Sequence, residues 1–257
     1  MNVAVLVKWV PEPQGTPTLG GDHLVVREGA DGSLDPGDEY GLERALQLVE
    51  RDGGEVALVS MGPGAATAAV QRGLAMGAHR AVLVTDDALR GADTLVTARV
   101  LAAAIRSIGT VDLVVAAVES TDGYTGTLPI TIAELLGLPS VTFATSLDVV
   151  DGSELRAERQ TAAGTEMVAG PMPALVTVTT GVAEPRYPSL KGVMAAKSKP
   201  IDRPTPADLG LTDDDLRPTQ TVASVEGAPA KSGGRVIEAG TETAGEIADL
   251  LAEARVI

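Results

Sequence analysis

The chain has 257 residues, 44% of them hydrophobic, a formal net charge of −15, and only five aromatics: Trp9, Tyr40, Tyr124, Phe143 and Tyr187. That length holds one large α/β domain with an appendage, while the acidic charge repels phosphate backbones and so few rings leave little for bases to stack on, which argues against nucleic acid as a partner. There is no cysteine, and the two histidines, His23 and His79, stand far apart, which excludes disulfides, thiolate nucleophiles and iron–sulfur or zinc–thiolate centres and leaves no metal-binding spacing.

The opening run "VAVLV" (3–7) is continuously apolar, as expected of a parallel strand covered on both faces. It meets Pro11 within about ten residues, too short for a membrane span, so the chain is expected in the cytoplasm. The polar stretch "QGTPTLGGDHLVVREGADGS" is expected to carry a short hairpin. "LDPGDEYGLERALQLVER" reads as a helix. Asp35 is its N-cap, Pro36 suits its first position, and Leu42, Ala45, Leu46 and Val49 line one face.

Strands follow at 56–60, 81–84 and 112–117. Helices lie between them: one from the "MGPG" turn to Met76 with Gly77 as its cap, and "ADTLVTARVLAAAIRSIG" with Leu95, Ala98, Leu101, Ala102 and Ile105 inward. After the fourth strand comes a polar loop and the helix "LPITIAELLG". Such alternation predicts a doubly wound, mostly parallel, Rossmann-like sheet. From Phe143 to Thr180 the pattern changes. "SLDVVDGSELRAERQ" reads as two strands around an Asp-Gly turn, and "TEMVAG" and "ALVTVTT" add two more, expected as an antiparallel extension. Beyond 200, "RPTPADLGL" reads as a short helix, 217–240 is rich in Pro, Gly, Ser and Thr, and "TAGEIADLLAEARVI" is a final helix with Ala244, Ile247, Ala248 and Leu251 in a stripe. The expected organisation is a nucleotide-binding domain over 1–200 and a C-terminal arm over 201–257.

Two loops belong to the carboxyl edge of the sheet, where doubly wound folds take ligands. "SMGPG" (60–64) runs into a helix whose N–H groups and dipole favour phosphate. "ESTDGYTGTLP" (119–129) brings the hydroxyls of Ser120, Thr121, Thr125 and Thr127, the carboxylate of Asp122 for a ribose hydroxyl, and Gly123 and Gly126 for close approach. Neither is a Walker A loop or a G-x-G-x-x-G fingerprint. No Ser/His/Asp set is visible, so binding is favoured over bond-making. A nucleotide-hydrolysing or adenylating enzyme would need a cation in "SMGPGAATAAV", which has none; a nucleotide-binding protein acting alone stays open.

The segment "EPRYPSLKGVMAAKSKP" (184–200) sets one leucine among Arg186, Lys191, Lys197 and Lys199. With "VAVLVKWVPEP", "LDPGDEYGLERAL", "VSMGPGAATAAVQRGLAMGAHRAVLV" and "ESTDGYTGTLPITIAELLGLP", it makes the chain resemble the beta (small) subunit of electron-transfer flavoproteins. The resemblance covers nearly the whole chain. It implies a heterodimer whose alpha subunit holds most of an FAD while beta buries an AMP. That dimer takes electrons from acyl-CoA and related dehydrogenases of fatty acid oxidation and passes them to the respiratory chain through a quinone oxidoreductase.

Carried over by position, the resemblance places the AMP site at Leu6, at Asp35, Pro36, Gly37 and Asp38, and at Met61 and Gly62. It continues through Asp122, Gly123, Tyr124, Thr125, Gly126 and Thr127, then Leu128, Pro129, Ile130, Thr131, Ile132 and Ala133. The recognition loop falls on Pro188, Ser189, Leu190, Lys191, Gly192, Val193, Met194 and Lys197, with Leu190 as anchor. Glu166 matches a glutamate that holds the mobile flavin domain. Three departures stand out: Asp35 where Asn is common, "YTGTLP" where many members carry amides, and "TAAGTE" without an acidic pair. They leave AMP and a second FAD, as in electron-bifurcating relatives, both open. The arm is expected on the alpha subunit.

Overall fold

The computed structural model describes residues 1–12, 18–27, 29–227 and 236–257, in two units, Met1–Val222 and Ala223–Ile257. In the first unit β1 (Asn2–Leu6) is buried along its apolar run. A small antiparallel ribbon follows, β2 (Trp9–Pro11) against β3 (Gly32–Leu34), which buries Trp9 beside Leu34. Between them an antiparallel bridge joins Leu19 to Val25, and residues 14–17 and 28 of the expected hairpin region lie outside the described residues. Helix α1 (Pro36–Asp52) starts as expected. Asp35 Oδ1 accepts the Gly37 N–H at 2.9 Å, and Leu42, Ala45, Leu46 and Val49 are all core residues.

Strand β4 (Glu55–Met61) leads through one 3-10 turn, Gly64–Ala66, into α2 (Thr67–Met76), which ends on Gly77 at φ 143°. Strand β5 (Arg80–Val84) precedes α3 (Thr94–Ser107). The buried face of α3 is wider than the expected stripe. Leu95 is only half-buried, while Val96, Val100 and Ala104 join Ala98, Leu101, Ala102 and Ile105 in the core. A neighbouring helix explains this, because α4 (Leu128–Leu136), which follows β6 (Leu113–Ala117), packs along α3.

Strands β7 (Ser140–Val150), β8 (Glu154–Thr161) and β9 (Gly164–Pro171) form an antiparallel meander, turning at Asp151 and Gly152 with φ 49° and 66° as an Asp-Gly turn requires. Strand β10 (Ala174–Val178) corrects the expected pattern. It inserts between β6 and β7, parallel to both. Its fully buried "ALVTV" carries the mark of a doubly covered parallel strand, like β1.

After α5 (Leu190–Ala196), β11 (Ile201–Asp202) adds to β5 and completes a nine-stranded sheet, ordered β11-β5-β4-β1-β6-β10-β7-β8-β9. The first unit thus runs past residue 200. "RPTPADLGL" forms turns and not the expected helix. Thr205 pairs reciprocally with Asp208, Thr212 does the same with Asp215, and Gly210 at φ 77° ends the first turn. Leu209, Leu211 and Leu216 pack on the α3–α4 side of the sheet, while α1 and α2 cover the other. In the second unit α6 (Thr243–Glu253) has no buried residue and exposes Ile247, Leu250 and Leu251. Among the described residues no helix is long and apolar enough to cross a membrane.

Candidate functional site

The chain leaves β1 toward β4 and β5 on one side, and leaves β6 toward β10 and β7 on the other. The crevice beyond the carboxyl ends of β1 and β6 is therefore the topological switch point, where such sheets hold ligands. Three segments of the expected site meet there. Asp35 is fully buried and ties two of them together. Its Oδ1 caps Gly37, while Oδ2 accepts the Thr121 N–H at 2.7 Å and the Thr121 hydroxyl at 3.0 Å.

Asp38, one turn into α1, is also buried and accepts the Lys8 N–H at 2.7 Å. Burial, followed by the charge of Asp35, holds the Asp38 carboxyl well above the usual carboxylate range. Asp122 has the opposite balance. Burial opposes its ionisation, but Lys8 and Arg27, with Ser120, outweigh that and keep it low.

The β4–α2 turn places Met61 and Gly62 at the same edge. No side chain caps α2 or α4 among the described residues; ahead of α2 the 3-10 turn already pairs the Ala66 and Thr67 N–H groups with the Pro63 and Gly64 carbonyls, which leaves the amino terminus of α4 as the helix start open toward the crevice. A Cβ on Gly64 would meet nothing within 4 Å. Ser60 at the end of β4 is fully buried, and its hydroxyl has no partner among the described residues.

Gly123, Tyr124 and Thr125 are exposed on the loop, Tyr124 in the left-handed region at φ 47°. Gly126 has φ 61°, and Thr127, Leu128, Ile130 and Thr131 carry the chain around the start of α4. Leu6, Pro129, Ile132 and Ala133, carried over with the site, are buried residues, so their side chains are spent on the interior. Pro36 is exposed at the head of α1.

The recognition segment is a helix and not the expected loop. Ser189 caps it by accepting the Gly192 N–H at 3.0 Å, and Leu190 is 80% exposed at its first position. Tyr187, Val193 and Met194 extend that apolar surface. Two of the four cations are structural. Arg186 pairs with Glu43 and Glu50 of α1, and Lys199 Nζ donates to the carbonyls of Leu74 and Ala78 at 2.9 and 2.6 Å, closing the end of α2. Lys191 is exposed, and Lys197 is exposed beside the groove that Pro188 and Val193 form with α2.

The model of the electron transfer flavoprotein domain matches residues 22–209. The electron transfer flavoprotein subunit beta of Mycobacterium tuberculosis is 36% identical over 265 residues, covering 100% of this chain and 99% of that protein. The same-named subunit of Thermoanaerobacterium thermosaccharolyticum is 36% identical over 96% of this chain and 92% of its own. The chain belongs to the electron transfer flavoprotein beta-subunit family.

Within that family's frame, Glu166 lies exposed on β9, opposite Arg159 of β8 at 4.0 Å. At that length and exposure the pair contributes little to stability. Caffeyl-CoA reductase-Etf complex subunit CarD of Acetobacterium woodii is 35% identical over the full length of both chains. Sequence reasoning missed the residues that hold this beta-family site together. Lys8 and Arg27 reach Asp122 from 114 and 95 positions away, and Glu43 reaches Arg186 from 143.

Proposed function

We propose that this chain is the nucleotide-holding, docking subunit of a heterodimeric electron carrier. Its alpha subunit holds most of an FAD, and an AMP lies in the switch-point crevice over Met61, Gly62 and the Asp122–Thr131 loop. The dimer takes electrons from acyl-CoA and related dehydrogenases and hands them to the respiratory chain through a quinone oxidoreductase, in the cytoplasm and at its membrane. FAD supplies the redox chemistry when bound. This chain's residues bind the nucleotide and present the docking surface, with no catalytic residues of their own. Glu166 faces the flavin domain, and the exposed stripe of α6 packs on the alpha subunit.

The observation that carries this reading is Leu190, a large apolar side chain 80% exposed on a helix whose flanking cations are used to brace it. Burying it in a partner's pocket contributes about 1.5–3 kcal/mol, the scale of a contact that docks and leaves. The experiment is co-expression with the alpha subunit and stopped-flow reduction by an acyl-CoA dehydrogenase. Leu190→Ala slows reduction about 10- to 150-fold at unchanged flavin content. Wild-type rates in that variant defeat the anchor assignment, and a colourless chain that never pairs favours a nucleotide-binding protein acting alone.

The kinship with a subunit of a caffeyl-CoA reductase-Etf complex favours a second reading, a bifurcating complex with a second FAD where AMP is proposed.

A further inference from the structure

The nucleotide reading leaves a phosphate without a cation, because neither the Met61–Gly64 turn nor the Gly123–Thr127 loop carries one. Two cations reach the crevice from elsewhere. Lys8, two residues beyond β1, sends Nζ to Asp122 Oδ1 at 2.5 Å and to Ser120 Oγ at 3.1 Å. Arg27, from the excursion between β2 and β3, places Nη2 on Asp122 Oδ2.

The burial is uneven. The Asp122 side chain is 5% exposed, Lys8 35% and Arg27 26%, so the carboxylate stands behind and the cations in front. Two cations converge on this one carboxylate, beside the buried carboxyls of Asp35 and Asp38. Donors are left over as well. An ammonium has three, of which Asp122 and Ser120 take two. Arg27 Nη1 is enclosed with no acceptor among the described residues. Gly123 keeps the front open, since a Cβ there would stand 3.0 Å from Ser120 Oγ and 3.8 Å from Lys8 Nζ.

The geometry points to Lys8 and Arg27 as the clamp on an adenosine phosphate, with Asp122 as the positioning residue behind them and not a ribose ligand. The ligand chemistry is shared by AMP and the ADP half of FAD. This rests on the nucleotide reading above and deepens it. Guanidinium and ammonium donors to a phosphate dianion form charge-assisted bonds, and a carboxylate at their back fixes their direction.

The test is calorimetric titration of the alpha–beta complex, freed of nucleotide, with AMP, adenosine and FAD. Wild type prefers AMP strongly over adenosine. Lys8→Met and Arg27→Met each weaken AMP about 10- to 100-fold and adenosine less than about threefold, the loss expected for a charged hydrogen bond. Lys8→Arg keeps the preference. Asp122→Asn weakens AMP by less than either and leaves adenosine unchanged. Phosphorus NMR supplies a second readout. Bound AMP stays dianionic to lower pH than free AMP, and Lys8→Met reverses that.

A Lys8→Met or Arg27→Met variant that binds AMP like wild type, or loses AMP and adenosine together, overturns the clamp alone. An Asp122→Asn variant that loses adenosine as much as AMP assigns Asp122 to the ribose and overturns its positioning role. FAD binding without AMP binding, with the same dependence on Lys8 and Arg27, supports the clamp and identifies its ligand as the dinucleotide. A wild-type complex that binds none of the three overturns the nucleotide reading and the clamp with it.

Discussion

Arg186 closes a two-pronged ion pair on Glu43, Nε to Oε2 at 2.7 Å and Nη2 to Oε1 at 3.0 Å, with the glutamate side chain only 5% exposed. Glu50, two α1 turns further on and on the same side, takes the remaining edge of the guanidinium, with Nη2 to Oε2 at 3.0 Å. The pair fixes the chain four residues before Leu190, so α5 leaves the sheet in a set direction.

Removing Glu43 leaves Arg186 partly buried without its main acceptor. Glu43→Ala is expected to lower stability by about 1.5–3 kcal/mol, the range for hydrogen bonds to charged groups, discounted for a guanidinium a third exposed. Urea midpoints measure that. Reduction by the dehydrogenase slows in the same variant while its flavin content holds.

Gly192 lies where α5 crosses α2. A Cβ on it would stand 2.4 Å from the Ala75 carbonyl oxygen, which is backbone and has little room to retreat. Gly192→Ala is expected to push α5 outward at a cost of about 1–3 kcal/mol and to slow docking. Gly181, whose Cβ would meet nothing within 4 Å, is the control. Gly181→Ala leaves docking unchanged.

Two carboxylates give pH dependences of opposite sign. The Asp38 carboxyl is raised by burial and by Asp35, so the folded state favours its protonated form and loses stability as pH climbs above the ordinary carboxylate value of 3.8. Asp38→Asn keeps an acceptor for the Lys8 N–H and removes the charge. Its melting temperature relative to wild type is therefore expected to rise as pH climbs above 3.8 and to level off once the wild-type carboxyl has ionised in the folded state.

Asp93 behaves the other way. Burial pushes its carboxyl up, but the Val96 N–H that it caps, the Thr219 hydroxyl, and the N–H groups of Thr219 and Gln220 outweigh burial and bring it to about 2. Its stabilisation is complete above 3.8 and is lost as pH falls through about 2. Asp93→Ala is expected to cost about 0.5–2 kcal/mol at pH 7, as for a lost N-cap, and to lose that penalty near pH 2, as chemical unfolding at the two pH values measures.

The strands and helices of the sheet were legible because their signals are local: apolar runs, caps at Asp35 and Gly77, and the Asp151–Gly152 turn. Strand β10 was misplaced because an apolar run shows that both faces are covered, not which neighbours do the covering. Its position between β6 and β7 depends on the chain returning under the meander. Helix α5 was hidden by Pro188 and Gly192, which read as a loop although Ser189 caps a real turn. Within the candidate site the expected contact residues came from the resemblance to the family. The ties did not, because Asp35 to Thr121, Asp122 to Lys8 and Arg27, and Arg186 to Glu43 span 86 to 143 positions and leave no trace in local composition.

The proposed role of this chain is to hold an adenine nucleotide and leave the working flavin to its partner. Releasing the bound small molecules from the purified alpha–beta complex by heat and counting them by chromatography tests it most directly. One AMP and one FAD per complex is the expected inventory. Two FAD and no AMP would contradict the AMP assignment, and FAD without any adenine nucleotide on this chain would contradict the claim itself.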